Sequence, residues 1–328
     1  MDDVYVRAPV RARARFPTVN VVLFVATVGT TLFAGWNLAG APLVAGAPLG
    51  ERLLAAASAG LPFAAALLGI LFTHEMGHYV LARWHRVDAT LPYFLPAPFG
   101  VGTFGAVIRI RSRLPSLRAV LDIGAAGPIA GFVVAVPLLL WGYAHSPPTP
   151  AAELGVESPV AALAAWVGEL LRGTGPTEEV GRGSVIVFGR SLVSWAALHL
   201  THPDLPAGMD VAEHPVAIAA WVGLLITAFN LFPLGQLDGG HAVYALLGRE
   251  RARRISRIVS WALLALGLFV SSTWLGWWLV TRFLVGFGHP PAIVEEPLSP
   301  GRRTLAIAAL VLFAITFVPL PIRVGVLR

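Results

Sequence analysis

The sequence predicts an all-α polytopic membrane protein with six or seven transmembrane helices, a short membrane-associated β-hairpin and one broken helix. Composition is the first observation. Of 328 residues, 56% are hydrophobic and 13% charged, with mean hydropathy +0.73, whereas a soluble globular chain carries about 25% charged residues. Patterning is the second. Six windows hold no Asp, Glu, Lys or Arg: Phe16–Gly50, Leu53–Thr73, Ile123–Ala152, Pro215–Leu237, Ile258–Thr281 and Thr304–Ile322. A helix needs roughly 20 apolar residues to cross a bilayer. The third is where the charge goes. All 24 basic residues are Arg and cluster between the windows, which suits loops flanking a bilayer and argues against a nucleic-acid surface. Cysteine is absent, so disulfides, thiolate metal sites and thiol catalysis are excluded, and any metal must be held by His, Asp or Glu.

Taken in order, residues 1–17 form an Arg-rich arm, with Arg7, Arg11, Arg13 and Arg15 placing the N-terminus in the cytoplasm. No cleavable signal-peptide pattern is expected there. Residues 18–50 hold the first helix, ending near Gly40-Ala41-Pro42, and an apolar loop. Alternation then puts Arg83 and Arg86, Arg109 to Arg118, and Arg249 to Arg257 on the same inner side. Residues 51–247 form the core. It includes a hairpin at 92–113, where Gly102 to Arg111 alternates after a Pro/Gly-rich stretch. It also includes an external, acidic connection at 145–214. Two apolar runs there, Val160 to Leu171 and Ser191 to Leu200, read as interfacial helices. Residues 248–328 supply the C-terminal transmembrane helices. The Ser271-Ser272 pair is a candidate turn, which leaves six against seven spans open. Trp84, Trp141 and Trp277 near span ends read as an interfacial belt, and His85 as a headgroup neighbour.

Ionisable side chains at the end of an apolar helix are expensive in a bilayer and mark function by default. The second span ends Thr73-His74-Glu75-Met76-Gly77-His78. Four residues apart on a helix, His74 and His78 share a face and can reach one ion, and Glu75 stands beside the first to take a proton from an activated water. This is the H-E-x-x-H arrangement of zinc hydrolases. The bland alternative is a pair of interfacial histidines. Two imidazoles leave zinc short of a protein ligand, and the fourth span offers Asp238 within Asn230-Leu231-Phe232-Pro233-Leu234-Gly235-Gln236-Leu237-Asp238-Gly239-Gly240. Pro233 and Gly235 break the helix before Asp238. Asp238 could equally cap the next helix. His199 and His202 form a second H-x-x-H pair, more simply read as surface histidines.

Together, H-E-x-x-H in one membrane helix and N-x-x-P-x-x-x-x-D-G in a later one resemble the site-2 protease family of intramembrane zinc metalloproteases. Asp122-Ile123-Gly124-Ala125-Ala126-Gly127-Pro128-Ile129-Ala130-Gly131 resembles the Gly-rich segment of that family's intervening helix, and otherwise reads as small-residue helix packing. Pro92-Tyr93-Phe94-Leu95-Pro96 and Gly235-Gln236-Leu237-Asp238-Gly239-Gly240-His241 resemble the bacterial and plastid branch that lacks a PDZ domain. The resemblance implies one catalytic Zn2+ held by His74, His78 and Asp238, with the third ligand on the broken helix. It implies Glu75 as the proton-transferring group and Asn230 as a residue that helps hold the substrate or the reaction site. It further implies a transmembrane protein as substrate, a lipid bilayer as partner, no nucleic acid, and a multi-pass location in a bacterial plasma membrane with the site near the cytoplasmic side. The sequence leaves the oligomeric state open. A zinc-binding transporter or an inactive membrane adaptor is the competing reading, and neither would need Glu75 beside a ligand.

Overall fold

In a computed structural model of the chain, residues 17–41, 46–154, 168 and 184–326 are described. The N-terminal arginines and the Val160 to Leu171 run, Gly168 aside, lie outside the described residues.

Among the described residues, three helices are long and apolar enough to cross a membrane: α1 (Thr18–Ala39), α2 (Leu49–Trp84) and α3 (Leu117–Ala144). At 1.5 Å per residue the 36-residue α2 is about 54 Å long, well beyond the roughly 30 Å of bilayer hydrocarbon. Its outer face carries exposed Leu53, Leu61, Phe72 and Val80, while Phe63, Leu67, Ile70 and Leu71 turn inward. Small residues let the helices close on one another. A Cβ on Gly60 or Gly77 would strike the backbone of α1 or α3 respectively.

Between α2 and α3 lies the hairpin, with β1 (Tyr93–Pro96) antiparallel to β2 (Thr103–Val107) and a register irregularity between Phe94 and Pro96. α1 holds it from the side. The Asn20 amide donates to the carbonyls of Leu91 and Pro92 at 3.0 and 2.9 Å, and the Thr30 hydroxyl donates to Gly102 O at 2.6 Å. Gly102 has φ +82° and sits against the α1 backbone, where no side chain fits.

α4 (Leu192–Thr201) begins at a Ser191/Ser194 capping box, α5 (Pro215–Asn230) runs back toward the hairpin side, and α6 (Asp238–Leu247) follows an irregular stretch. α7 (Arg249–Phe269) and α8 (Ser272–Val280) turn on Val270 and Ser271, and the α8 backbone packs against Gly267. A π-helical turn, Thr281–Val285, leads into a strap that reaches α9 (Pro300–Thr316).

Two small sheets were not foreseen. β3 (Pro148–Pro150) pairs with β6 (Met209–Val211), and β7 (Ile322–Val326) pairs with both β4 (Glu153–Leu154) and β5 (Ser184–Phe188). The end of the chain is therefore stitched to the connection that follows α3, far from the hairpin in sequence.

Two local readings change and a third, of His199 and His202 as surface histidines, is kept. Trp84 and Trp141 are exposed at helix ends, but Trp277 stacks on Phe229 at 4.5 Å between centroids and is a packing residue. His85 does not sit free among headgroups. Its Nε2 lies 2.9 Å from Asp122 Oδ2, and Arg302 grips the same carboxylate from α9 at 3.0 and 2.8 Å. His199 and His202 do not converge: the first bonds the carbonyl of Trp195 and the second that of Ser146.

Candidate active site

The irregular stretch between α5 and α6 places one side chain inside the bundle. α5 stops at Asn230, Gly235 takes φ +53°, and Asp238 is the first residue of α6. The break is tolerated because it is enclosed in protein: Leu231, Phe232 and Leu234 are buried, and Gly235 N–H donates to Ser256 Oγ at 3.0 Å. Gly239 and Gly240 pack so closely on the carbonyls of Leu231 and Gly235 that neither position has room for a Cβ. Leu237, not Asp238, occupies the N-cap position of α6. The Asp238 carboxylate turns toward α2.

There it meets both histidines. His74 Nε2 to His78 Nε2 is 3.2 Å, His74 Nε2 to Asp238 Oδ2 is 3.5 Å, and His78 Nε2 to Asp238 Oδ2 is 3.3 Å. These are the edges expected of three ligands on a tetrahedral ion, since ligand bonds of about 2.0–2.1 Å give ligand-to-ligand distances of about 3.3–3.4 Å. The donor set of two imidazoles and one carboxylate suits zinc. Among the described residues, no other group of three or more His, Asp or Glu gathers this way.

The surroundings orient the ligands. The His78 Nδ1–H donates to the carbonyl of Ile123 at 2.7 Å, leaving Nε2 as the free lone pair that faces Asp238. Ile123 lies in a turn of α3 loosened by Pro128, whose missing N–H deprives Gly124 O of its helical donor. Gly124, Gly127 and Gly131 share one face of α3 at i, i+3 and i+7, and a Cβ on them would meet His241, His78 and His74 respectively. The glycines make the room that the imidazoles occupy.

Glu75 is buried at 5% exposure, with the Ile108 N–H, just past β2, bonded to its carboxylate. A buried carboxylate without a cationic partner is costly, which marks it as retained for chemistry. Asn230 Nδ2 lies 3.3 Å from His74 Nε2, so its amide borders the ligand cluster. Glu75, His78, Asp238 and Asn230 all line one cavity of about 900 Å³, whose outer wall is the segment from Ala106 to Leu114.

Two contributors to this cavity were not read from the sequence. His289, on the strap after the π-helical turn, hydrogen-bonds His241 and stacks on Tyr244. No local pattern signals this contact across 48 residues. The backbone groups of Ile108 and Ile123 were also missed, and the i, i+3, i+7 spacing of the α3 glycines was the available signal for a close-packed face.

A match to the peptidase family M50 model spans residues 62–272. The rice protein described as "Probable zinc metalloprotease EGY1, chloroplastic" (Oryza sativa subsp. japonica) is 30% identical over 88% of this chain and 45% of its own length. The Arabidopsis thaliana protein of the same description is 31% identical over 82% of this chain and 44% of its own. A second Arabidopsis protein, "Probable zinc metalloprotease EGY2, chloroplastic", is 30% identical over 80% and 42%. The chain thus spans less than half the length of these curated relatives. No solved structure matches it. The matched stretch contains both halves of the ligand cluster and the hairpin between them, and the chain belongs to peptidase family M50.

Proposed function

We propose that this protein is an intramembrane zinc endopeptidase that hydrolyses peptide bonds in or near transmembrane segments of membrane proteins. The observation that carries the proposal is the tetrahedral spacing of His74, His78 and Asp238 with Glu75 buried beside them. Those three residues would hold zinc. When bound, the ion supplies a Lewis acid that polarises the scissile carbonyl and lowers the pKa of a water toward about 7.

The chain's own groups do the rest. Glu75 takes the proton from the attacking water and returns it to the leaving amine, with its carboxylate aimed by the Ile108 N–H. Asn230 offers an amide N–H to the carbonyl under attack. His78 keeps one tautomer through Ile123 O. The open edge of β2 accepts the unwound substrate as an added strand, since a peptide bond inside a helix is closed to water until the helix is opened.

The helices continue the same reading. α1, α2, α3, α5 and α9 each pass through the bundle, and α7 with α8 makes a pair of passages, giving seven with the C-terminal strand opposite the active site. The arginines at 83, 86, 109 to 118 and 249 to 257 flank the segments that carry the site, which supports a site on the cytoplasmic side; a bacterial plasma membrane is part of the same proposal.

Purified Glu75→Gln, loaded with zinc, tests the proposal against a transporter or an inactive adaptor. Cleavage of a model membrane substrate should fall about 10²–10⁴-fold with zinc stoichiometry unchanged. Undiminished cleavage would remove Glu75 from the reaction, and wild-type protein that carries zinc across vesicles without cutting would favour transport.

A further inference from the structure

Beyond β2 the chain stays extended along the cavity wall as far as Arg111 and bends at Ser112. Thr90 N–H donates to Arg109 O at 3.0 Å, Arg111 N–H donates to Asp88 O at 2.8 Å, and Ala89 bridges Ile110 in antiparallel fashion. Side chains on such a segment alternate. Ile108 and Ile110 pack inward on the cluster of Ala82, Val87 and Ile123. Arg109, Arg111 and Arg113 are exposed, and all three line the cavity that holds Glu75 and Asp238. Among the described residues none of the three joins an ion pair. Among the described residues, the only acids lining the cavity are Glu75 and Asp238, both committed elsewhere.

We propose that Arg109, Arg111 and Arg113 form a charge ladder that receives an extended acidic segment flanking the scissile bond of the substrate. This rests on the proteolytic reading of the site. Alternate residues of an extended chain recur every ~6.7 Å, in Arg109 and Arg111 as in a peptide laid beside them, so acids two apart in the substrate meet these two guanidinium groups in register, and Arg113, beyond the bend at Ser112, lines the same cavity to meet an acid further along. The ladder starts one residue from the backbone N–H that holds Glu75. A segment bound there is continuous with a strand added to β2. Anionic lipid is the other ligand an arginine cluster could take, but Arg253, Arg254 and Arg257 on α7 are exposed outside this cavity and are the better placed for headgroups.

The test uses the full chain in bicelles of zwitterionic lipid and three substrates sharing one transmembrane segment and cleavage site. Their flanks on the active-site side carry Asp, Asn or Lys at alternate positions. Each exposed pair contributes little, and three together give an Asp-to-Lys ratio in kcat/KM of about ten-fold or more at low salt, falling toward one near about 0.5 M. Measured within each variant, the ratio cancels losses of fold or metal. R109E/R111E/R113E should invert it, and R253E/R254E/R257E should leave it in place. A wild-type ratio near one, a ratio that survives the first reversal, or a preference that emerges only with anionic lipid would overturn the ladder. Fluorescence anisotropy of Asp- and Asn-containing peptides on Glu75→Gln needs no turnover. Tighter binding of the Asp peptide with no cleavage of any substrate would sink the proteolytic reading alone, whereas cleavage blind to flank charge would sink the ladder alone.

Discussion

Gly127 sets how closely α3 can approach His78. A methyl there collides with the imidazole, whereas Gly69 on α2 faces open space. Gly127→Ala should therefore weaken zinc binding by about 10–100-fold, the usual cost of disturbing a ligand's support. Gly69→Ala should leave it alone, and a competition titration with a zinc chelator reads both. Asn230→Ala should keep full zinc and lose about 10²-fold in kcat, the loss typical of one donor to a developing oxyanion. Away from the membrane spans, between β6 and α5, Glu213 has a buried Oε2 with no partner among the described residues. Burial pushes its carboxyl up from the ordinary 4.5 to about 7, with Arg190 pulling the other way. An acid raised in the folded state favours folding when protonated, so its contribution is greatest below about pH 4.5 and is lost as pH rises toward 7. Glu213→Gln should flatten the fall in Tm between about pH 5 and pH 8; an unchanged slope would assign that fall to other groups. At this scale His74, Glu75, His78 and Asp238 were legible in the sequence because each is costly in lipid without a purpose. His289, the Ile123 carbonyl and the His85–Asp122–Arg302 cluster were not, because each depends on a partner 37 or more residues away.

Among the elements, the hairpin and the broken helix carry the site. Both were readable: the first from alternation after Pro and Gly, the second from Pro233 and Gly235 ahead of Asp238. The packing of α1 on the hairpin through Asn20 and Thr30 was not, since two polar residues in an apolar helix do not name their partners. If β2 receives the substrate, proline placed singly from Phe104 to Ile108 should cost about ten-fold or more in cleavage wherever the N–H lost points away from β1. Zinc content and Tm should hold at those positions. Unchanged cleavage across the series would leave β2 as a cap over the cavity. The strands after α3 escaped notice because they are two to five residues long, and two of them, β4 and β5, find their partner only in β7.

For the whole molecule, the seven-passage arrangement proposed above puts β5, paired with β7, and the start of α7 on opposite faces of the bundle. A chain without cysteine suits a direct check. Ile186→Cys and Arg253→Cys should react with an impermeant thiol reagent from opposite sides of sealed vesicles; labelling from one side would contradict the seven-passage arrangement. The same arrangement brings Asp238 to two histidines 160 and 164 positions earlier in the chain, so the metal centre exists only when the bundle is assembled. Zinc stoichiometry and X-ray absorption on purified wild type, set against Asp238→Ala, test that claim most directly. One zinc per chain with two imidazole nitrogens and one carboxylate oxygen at about 2.0–2.1 Å is the predicted result, with zinc lost in the variant. Stoichiometric zinc retained by Asp238→Ala would contradict it.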